Sequence, residues 1–389
     1  MLSILHILPN EKFSPINVFD GVEANSEYYC PLAEGDNLRY LDSSRVQTTT
    51  IQNLCDIVAK KRYDIIIFHS LPNAWYRIVL SVRQEAKVVW AVFGFDMYYA
   101  DAPYRPICEM QLYQPITERW LEMRASKPLR KRITRAIKNV FHYPAYKEQQ
   151  RELACTVEKA QNIQNQVLER IDYCAPIFEN EVELLKTNPH FHAALMPIQY
   201  TRWSKDDNFE SHNLHDATYI QLGNSADPSG NIVDVLDVLQ KRKINNTVYL
   251  PMAYGEEDYK QSVVNYVNEH KVDAIVQDKM IQFDEYTRIM RNCRVSVFGH
   301  IRQQASDSIH MSLLRGNKVF LYKDSVGYQY YKQKGFYVYT IEEDLTSANI
   351  QELLTPEQIQ HNIDLVLQTV SEEEVTKRVA KTLKEIENA

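Results

Sequence analysis

The chain has 389 residues, of which 44% are hydrophobic and 24% charged, so it exceeds one ordinary domain and can bury large cores. Its formal net charge of -7 argues against general binding of nucleic acid. With 10 glycines against 25 tyrosines, and with neither a G-x-G-x-x-G nor a P-loop motif, the sequence disfavours a dinucleotide or ATP site.

The N-terminal run from Leu2 to Leu8 is apolar but shorter than a secretory signal core, and Pro9 and Asn10 follow it. We therefore predict that it is the first strand. No run reaches the roughly 18 to 20 apolar residues that a transmembrane helix needs. The six cysteines are far apart and lack the spacing of a zinc or redox motif, as expected in a reducing cytoplasm.

The first third of the chain alternates apolar strands with helices. Strands are predicted at 2–8, 64–70 and 86–93, and helices at 52–61 and 73–84. Near-continuous apolar strands separated by helices indicate a parallel sheet covered on both faces. Ligands of such sheets bind beyond the carboxyl ends of the strands, where this sequence carries His69 and Asp96.

Residues 102–170 show a mostly helical pattern, and their middle is basic. The stretch RASKPLRKRITRAIKNVF at 124–141 combines an apolar stripe with the cations Arg130, Lys131, Arg132, Arg135 and Lys138. A basic amphipathic helix of this kind is predicted to lie on an anionic membrane surface. The alternative is a solvated helix that packs its stripe on the core.

A polar stretch without periodicity at 203–215 predicts a domain boundary. We expect an N-terminal Rossmann-like domain over 1–205, with a helical insertion at about 102–170. A C-terminal Rossmann-like domain is expected over 206–350. Helices over 351–389 would follow and could pack back on the first domain.

The second half restarts the alternation of strands and helices. Its strands are predicted at 218–225, 247–254, 274–277, 295–298 and 318–322, with helices at 229–242, 256–269 and 282–292. The loop after the fourth of these strands opens a helix, and the first turn of a helix directs unpaired N–H groups and a positive dipole at a ligand. The forked guanidinium of Arg302 in that loop suits a phosphate.

The strand-end loops of the second half supply the predicted ligand site: Gly223, Asn224, Ser225, Tyr254, Arg302, Gln303, Gln304, Ser306 and Ser308. Several of these residues have a structural alternative. Gly223 to Ser225 could be a turn that needs a small residue. Ser306 or Asp307 could merely cap the helix, with Arg302 a solvated loop residue, and Tyr254 could simply pack. Two pairs of aspartates, Asp206 with Asp207 and Asp234 with Asp237, lie in a linker and on a helix face, so no metal site is predicted.

Two Rossmann-like, doubly wound α/β domains that face a cleft, without a dinucleotide fingerprint, are typical of GT-B glycosyltransferases. In that arrangement the first domain, here 1–205, would bind the acceptor. The second, here 206–350, would bind the nucleotide sugar, with its strand-end loops as the predicted donor site. Such an enzyme needs groups that hold a diphosphate leaving group and, for an inverting reaction, a base. Asp96 is the predicted base, although a Gly-x-Asp after a strand is also typical of an Asx turn or helix cap. His69 is the alternative base. Helix N-termini and Arg302 could hold the diphosphate without a metal or cofactor.

Two other functions fit a two-domain α/β chain. A sugar-nucleotide epimerase would need acid and base groups around the sugar and no lipid. A non-enzymatic, two-lobed sugar-binding protein is disfavoured by the absence of an export signal and by the single apparent linker.

Several motifs occur in a recognisable order: LGNS at 222–225, VYLPMAYG at 248–255, FDEYTRIMRNC at 283–293, RQQ at 302–304 and LLRGNKV at 313–319, with WAVFGFDMY at 90–98 in the first half. In these motifs the chain resembles the bacterial TDP-N-acetylfucosamine:lipid II N-acetylfucosaminyltransferases. This family is also called 4-alpha-L-fucosyltransferase, glycosyltransferase family fifty-six. The chain departs from the family pattern in its longer basic, helical insertion before residue 171 and in its divergent first half.

The resemblance implies a metal-independent hexosyltransferase that moves a fucosamine-like deoxyamino sugar from a TDP-sugar to a polyprenyl-diphosphate-linked saccharide. The nucleotide sugar would be a substrate rather than a cofactor. The lipid-linked acceptor implies a cytoplasmic enzyme that docks peripherally on the inner membrane, which gives the basic stretch a role at an anionic membrane surface. No nucleic-acid partner is expected.

Overall fold

The computed structural model describes residues 1–10, 16–20, 22–125, 143–198 and 214–387. The chain forms two compact units, which we call unit 1 and unit 2. Unit 1 comprises Met1–Met110, Ser126–Arg202 and Val375–Ala389, and unit 2 comprises Gln111–Ala125 and Trp203–Glu374. The chain therefore passes between the units four times. The predicted single linker is wrong, and so is the argument against a two-lobed binding protein that depended on it.

Unit 1 is built on a sheet in which all pairs of neighbouring strands are parallel. Its strands are β1 (Leu2–Ile7), β2 (Ala24–Pro31), β3 (Gln47–Thr49), β4 (Ile65–Phe68), β5 (Lys87–Val92), β6 (Tyr173–Pro176) and β7 (Ala194–Leu195). They run in the order β3-β2-β1-β4-β5-β6-β7. The sequence did not predict β2 and β3, because polar residues such as Glu27 interrupt β2 and most residues of both strands are not fully buried.

Unit 2 contains the second parallel sheet. Its strands are β8 (Tyr219–Leu222), β9 (Val248–Pro251), β10 (Ala274–Gln277), β11 (Cys293–Phe298), β12 (Lys318–Leu321) and β13 (Tyr339–Thr340). They run in the order β10-β9-β8-β11-β12-β13. The strand order thus reverses between β8 and β11, where Leu222 pairs with Val297, and this is the position at which doubly wound sheets bind ligands.

Helices connect the strands in both units. They are α1 (Ile51–Lys60), α2 (Tyr76–Ser81), α3 (Gly94–Tyr98), α4 (Pro115–Ala125), α5 (Tyr143–Arg170), α6 (Glu181–Leu185), α7 (Ile232–Lys241), α8 (Glu257–Glu269), α9 (Phe283–Arg291), α10 (Ser306–Leu314), α11 (Val326–Gln333), α12 (Ser347–Gln351), α13 (Pro356–Val370) and α14 (Glu372–Glu387). In the residues that the structure describes, no helix is long and apolar enough to cross a membrane.

The last helix, α14, contributes to the core of unit 1. Val379 and Leu383 on this helix are buried in one cluster with Ile4, Ile65 and Val89 of the sheet. The preceding helix, α13, lies within the range of unit 2. The C-terminal helices that the sequence groups together at 351–389 are therefore divided between the two units.

Helix α4 belongs to unit 2, although the predicted boundaries place its residues in an insertion of the first domain. Its N-terminus is capped by side chains of α7 and of the residue that precedes α7. Asn231 Oδ1 accepts a hydrogen bond from Gln114 N at 2.8 Å. The carboxylate of Asp234 accepts hydrogen bonds from Ile116 N at 2.7 Å, from Thr117 N at 3.0 Å and from Thr117 Oγ1 at 2.6 Å. These bonds satisfy amides that the first turn of a helix leaves unpaired.

Candidate functional site

Three loops of unit 2 emerge side by side at the carboxyl edge of its sheet. They follow β9, β8 and β11, which are neighbours in the sheet. The structure therefore brings the predicted donor residues of all three strand ends to one edge. Two of the loops, those after β8 and β11, flank the point where the strand order reverses.

The loop after β8 is joined to the loop after β9 through the main chain. Ala226 N donates to Tyr254 O at 2.8 Å, and Glu256 N donates to Ala226 O at 2.9 Å. Gly255 has a φ of 121°, and a Cβ atom there would lie 2.5 Å from the carbonyl carbon of Ala226. Only glycine permits this approach, because any side chain would collide with the neighbouring backbone.

Asn224 and Tyr254 meet above this junction. Asn224 Nδ2 donates to the Tyr254 hydroxyl at 3.3 Å, while Asn224 Oδ1 is buried without a partner in the described part of the chain. Tyr254 remains 56% exposed. An accessible ring held by one hydrogen bond favours the interpretation that Tyr254 contacts a ligand over the alternative that it only packs.

The loop after β8 is also held against the loop after β11. A Cβ atom at Gly299 would lie 2.4 Å from Gly230 O, so these two backbones touch. Asn231, in the left-handed region with a φ of 47°, donates from Nδ2 to Gly299 O at 2.8 Å. Ser229 Oγ lies 2.5 Å from Gln304 Oε1, which adds a side-chain contact between the loops.

Arg302 is not a solvated loop residue, since its side chain is only 10% exposed. Its Nη1 donates to Gln303 O at 2.8 Å, and its Nη2 lies 3.7 Å from Asp227 Oδ2. The guanidinium is thus oriented by the protein, and Asp227 balances part of its charge. Gln303 is buried beside it.

Helix α10 begins without a side-chain cap. Its N-cap residue is Ala305, which has a φ of 61° and no side-chain acceptor, so neither Ser306 nor Asp307 is the cap residue. Helix α7 differs, because the Tyr259 hydroxyl accepts a hydrogen bond from Ile232 N at 2.9 Å at its first turn. The chemistry of an uncapped first turn suits an anion, and buried Ser306 and half-buried Ser308 belong to this turn.

The structure assigns other contacts to the aspartates of α7. Asp234 caps α4, and burial raises the pKa of this carboxyl, although its hydrogen bonds to Thr117 and Ile116 oppose the shift. Asp237 lies 2.7 Å from Lys241 Nζ in an ion pair one helical turn away. The sequence reasoning did not identify Asn231 and Asp234 as capping residues, since their partners are 117 or more positions away.

In unit 1, Asp96 lies at the carboxyl edge of β5 and is only 7% exposed. Its Oδ1 accepts from Ser70 Oγ at 2.9 Å, and its Oδ2 lies 3.3 Å from both Trp90 Nε1 and Phe93 N. Burial raises the pKa of the Asp96 carboxyl to about 6, against hydrogen bonds from Leu71, Ser70, Phe93 and Trp90. The bond from Phe93 N at the start of α3 is the one that the helix-cap alternative predicts.

His69, the alternative base, is fully buried at the end of β4. Its Nε2 lies 2.9 Å from His6 Nδ1, and the two rings stack with centroids 5.2 Å apart. Burial lowers the pKa of both histidines, that of His6 to about 3. His69 therefore has the surroundings of a core histidine. The adjacent Ser70 has a φ of 140°, an unusual conformation for a residue other than glycine.

The predicted membrane-binding cations lie outside the described residues: Arg130, Lys131, Arg132, Arg135 and Lys138. Arg124 precedes these cations in the chain and lies in the last turn of α4. Arg124 pairs with Glu256 and lies 3.6 Å from Asp258, so it is tied to the start of α8.

Residues 185–364 match the family described as 4-alpha-L-fucosyltransferase glycosyl transferase group 56. The match confirms the predicted resemblance and includes all three loops of the candidate donor site. It does not extend to the motif at 90–98. A search of curated proteins found no match.

Solved structures resemble the chain along its length. HepE from Anabaena in complex with UDP and glucose has a TM-score of 0.59 at 9% identity, covering 99% of this chain and 100% of that one. Sucrose-phosphate synthase from Thermosynechococcus elongatus has a TM-score of 0.60 at 10% identity, covering 100% of both chains. The UDP-forming alpha,alpha-trehalose-phosphate synthase from Burkholderia xenovorans, in complex with glucose-6-phosphate, has a TM-score of 0.56 at 9% identity. The match covers 98% of this chain and 100% of that one.

These neighbours are GT-B glycosyltransferases, so the predicted GT-B fold is confirmed. At such low identities, the likeness establishes the fold alone. The family match over residues 185–364 adds the class of activity, which is glycosyl transfer.

The contact between Gly299 and Gly230 is testable by substitution. We expect Gly299→Ala to destabilise unit 2 by about 1 to 3 kcal/mol, because its Cβ would lie 2.4 Å from a backbone oxygen that cannot move alone. Gly230→Ala is the matched control, since its Cβ would meet His300 Nε2 at an ordinary 3.4 Å. Urea denaturation of both variants measures the difference, and equal stability would contradict the argument.

Asp96→Asn tests the buried carboxyl. Because the pKa of Asp96 in the folded protein is raised to about 6, ionisation of this carboxyl destabilises the folded state. The destabilisation grows as the pH rises from about 4 to about 6 and is constant at higher pH. We expect the wild-type unfolding free energy to fall, relative to the variant, by up to about 3 kcal/mol between pH 4 and pH 7. Denaturant titrations at both pH values check this, with exposed Asp101→Asn as control. A constant difference would refute it.

The same variant separates the two roles of Asp96. If the carboxylate is the base, Asp96→Asn loses transfer while it stays folded and still binds nucleotide. If it is a cap and loop anchor, transfer per folded molecule stays close to wild type. The four hydrogen bonds of its carboxylate lead us to expect the second result. Transfer rates normalised to the folded fraction decide between them.

Proposed function

We propose that this GT-B glycosyltransferase, whose residues 185–364 match the 4-alpha-L-fucosyltransferase family, moves a fucosamine-like deoxyamino sugar from a TDP-sugar to a polyprenyl-diphosphate-linked saccharide. The proposal of a nucleotide-sugar donor is supported by the convergence of three loops at the strand-order reversal of unit 2, beside a helix without a side-chain cap. The proposal of a lipid-linked acceptor depends on the family resemblance and on the basic stretch at 124–141.

The donor diphosphate is proposed to bind between the loop after β8 and the start of α10. Gly223, with a φ of 72°, turns the chain so that Asn224 and Ser225 follow the strand end. The first amides of α10 would donate to diphosphate oxygens, and Arg302 would supply a cation held in place by Gln303 O. That HepE binds UDP and UDP-glucose on the same fold supports this placement.

The nucleobase is proposed to lie near Tyr254, which is exposed and adjoins Asn224. Aromatic rings stack on bases of any identity, so this contact would hold a pyrimidine without choosing between thymine and uracil. Comparison of TDP with UDP therefore measures the selectivity of the site as well as its existence.

Calorimetric titration with TDP and UDP tests the donor site. We expect the wild type to bind at least one of them, with or without EDTA, and Arg302→Ala to bind about 10-fold to 100-fold more weakly. A hydrogen bond to a charged group is worth about 1.5 to 3 kcal/mol. Arg288→Ala removes an exposed cation from α9 and should leave affinity unchanged. If neither nucleotide binds the wild type, the donor-site assignment is wrong.

The basic stretch is proposed to bring the enzyme to a membrane that carries the acceptor. In a flotation assay we expect the wild type to rise with anionic vesicles. The variant with Arg130, Lys131, Arg132 and Arg135 replaced by Ser should remain in the dense fraction. Each cation near the surface contributes about 1 kcal/mol.

A matched control removes the same charge from elsewhere. Replacement of the exposed residues Lys241, Lys279, Lys332 and Lys334 by Ser lowers the net charge equally, and this variant should float like the wild type. Neutral vesicles should bind none of the three proteins. If the first variant floats like the wild type, the membrane role of the basic stretch is refuted.

A further inference from the structure

His300, the second residue after β11, is a buried polar side chain that the donor-site prediction did not include. It is only 4% exposed, and its Nδ1 is buried without a hydrogen-bond partner among the described residues. In a neutral histidine one ring nitrogen is a donor and the other an acceptor, so the lack of a partner at Nδ1 bears on which nitrogen carries the proton.

The unpaired Nδ1 favours one of the two tautomers of the ring. An unpaired buried N–H group is rarer in proteins than an under-satisfied acceptor, so the tautomer with the proton on Nε2 is favoured. A Cβ atom at Gly230 would lie 3.4 Å from His300 Nε2, which places this nitrogen against the loop after β8. The donor thus lies between the two loops that flank the strand-order reversal of unit 2.

The electrostatic surroundings keep this donor neutral. The pKa of His300 is lowered to about 3, mainly by burial and also by the nearby Arg302, while Asp227 opposes the shift. The ring therefore offers one N–H donor at neutral pH without adding charge. Its closest charged neighbours belong to the same two loops that hold the candidate diphosphate site.

We propose that His300 is a diphosphate-binding residue, whose Nε2–H donates a hydrogen bond to an oxygen of the nucleoside diphosphate. This inference rests on the proposed function. It adds a neutral donor from the loop after β11 to the amides of α10 and to Arg302. Only ligands that carry phosphate could accept this bond, so its loss should not change the affinity for the nucleoside.

His310 provides a matched control within the same unit. It is also buried, and neither of its ring nitrogens has a partner in the described chain. It lies in the body of α10 and packs edge-on against Tyr331, with ring centroids 5.8 Å apart. These are the surroundings of a core side chain, so replacement of His310 should affect stability without changing the affinity for phosphate-bearing ligands.

The experiment compares TDP with thymidine by titration calorimetry, or UDP with uridine if only UDP binds the wild type. His300→Gln keeps an amide donor near the position of Nε2, whereas His300→Asn places its amide near Nδ1. We expect His300→Asn to bind the diphosphate about tenfold more weakly, and His300→Gln to stay within about threefold of wild type. Thymidine affinity should not change in either variant, and His310→Gln should match the wild type.

The possible outcomes are distinguishable. If the wild type binds neither diphosphate, the proposed function fails, and this inference fails with it. If the wild type binds and His300→Asn binds equally well, or loses diphosphate and nucleoside in parallel, only the role of His300 is overturned.

A second measurement covers the case in which His300→Asn does not fold. In wild-type protein with ¹⁵N-labelled histidine, TDP should shift a ring Nε2 resonance that thymidine leaves in place and that is absent from His300→Gln. If no histidine resonance responds to the diphosphate alone, the proposal is refuted.

Discussion

The candidate donor site depends on the close approach of two loops at the strand-order reversal of unit 2. Gly299 and Gly230 touch through their backbones, which only glycine at 299 allows, and Asn231 bonds Gly299 O from a left-handed conformation. Asn231 also donates to Leu112 O at 3.1 Å and accepts from Gln114 N. One asparagine therefore holds the loop after β11 and the segment that leads into α4, so both are fixed relative to the start of α7.

The positions of the loops could be predicted from the sequence, whereas the contacts between them could not. Apolar strands such as Val295 to Phe298 are recognisable from local periodicity, and parallel strands align their carboxyl ends. The cap of α4 by Asp234 depends on residues 117 or more positions apart, and no local pattern signals such a pairing. For the same reason the sequence placed α4 in the wrong unit and missed β2, whose polar residues conceal its place beside β1.

Unit 1 shows how one motif can fit two roles until its hydrogen bonds are known. Gly94-x-Asp96 at a strand end suits a general base, yet the carboxylate is surrounded by donors from Ser70, Leu71, Trp90 and Phe93. These donors come from the end of β4 and from β5 with the turn after it, so Asp96 joins two strand ends. Ser70, with its φ of 140°, is one of the residues so held. The arrangement stabilises an unusual backbone conformation. A carboxylate that acted as a base would have to leave these partners to accept a proton, and it would then stabilise this conformation less well.

Charge balance gives this rigidity a role in the proposed donor site. Asp227 lies 3.7 Å from Arg302 and balances part of the positive charge that Arg302 would bring to a diphosphate. Oriented neutral donors would then add to the attraction, and those proposed here are the first amides of α10 and the ring of His300. A neutral hydrogen bond contributes only when its donor already points at the acceptor, because reorientation offsets the gain. The glycine contact and Asn231 hold the two loops together, so the affinity of the proposed site would depend on backbone geometry as well as on charge.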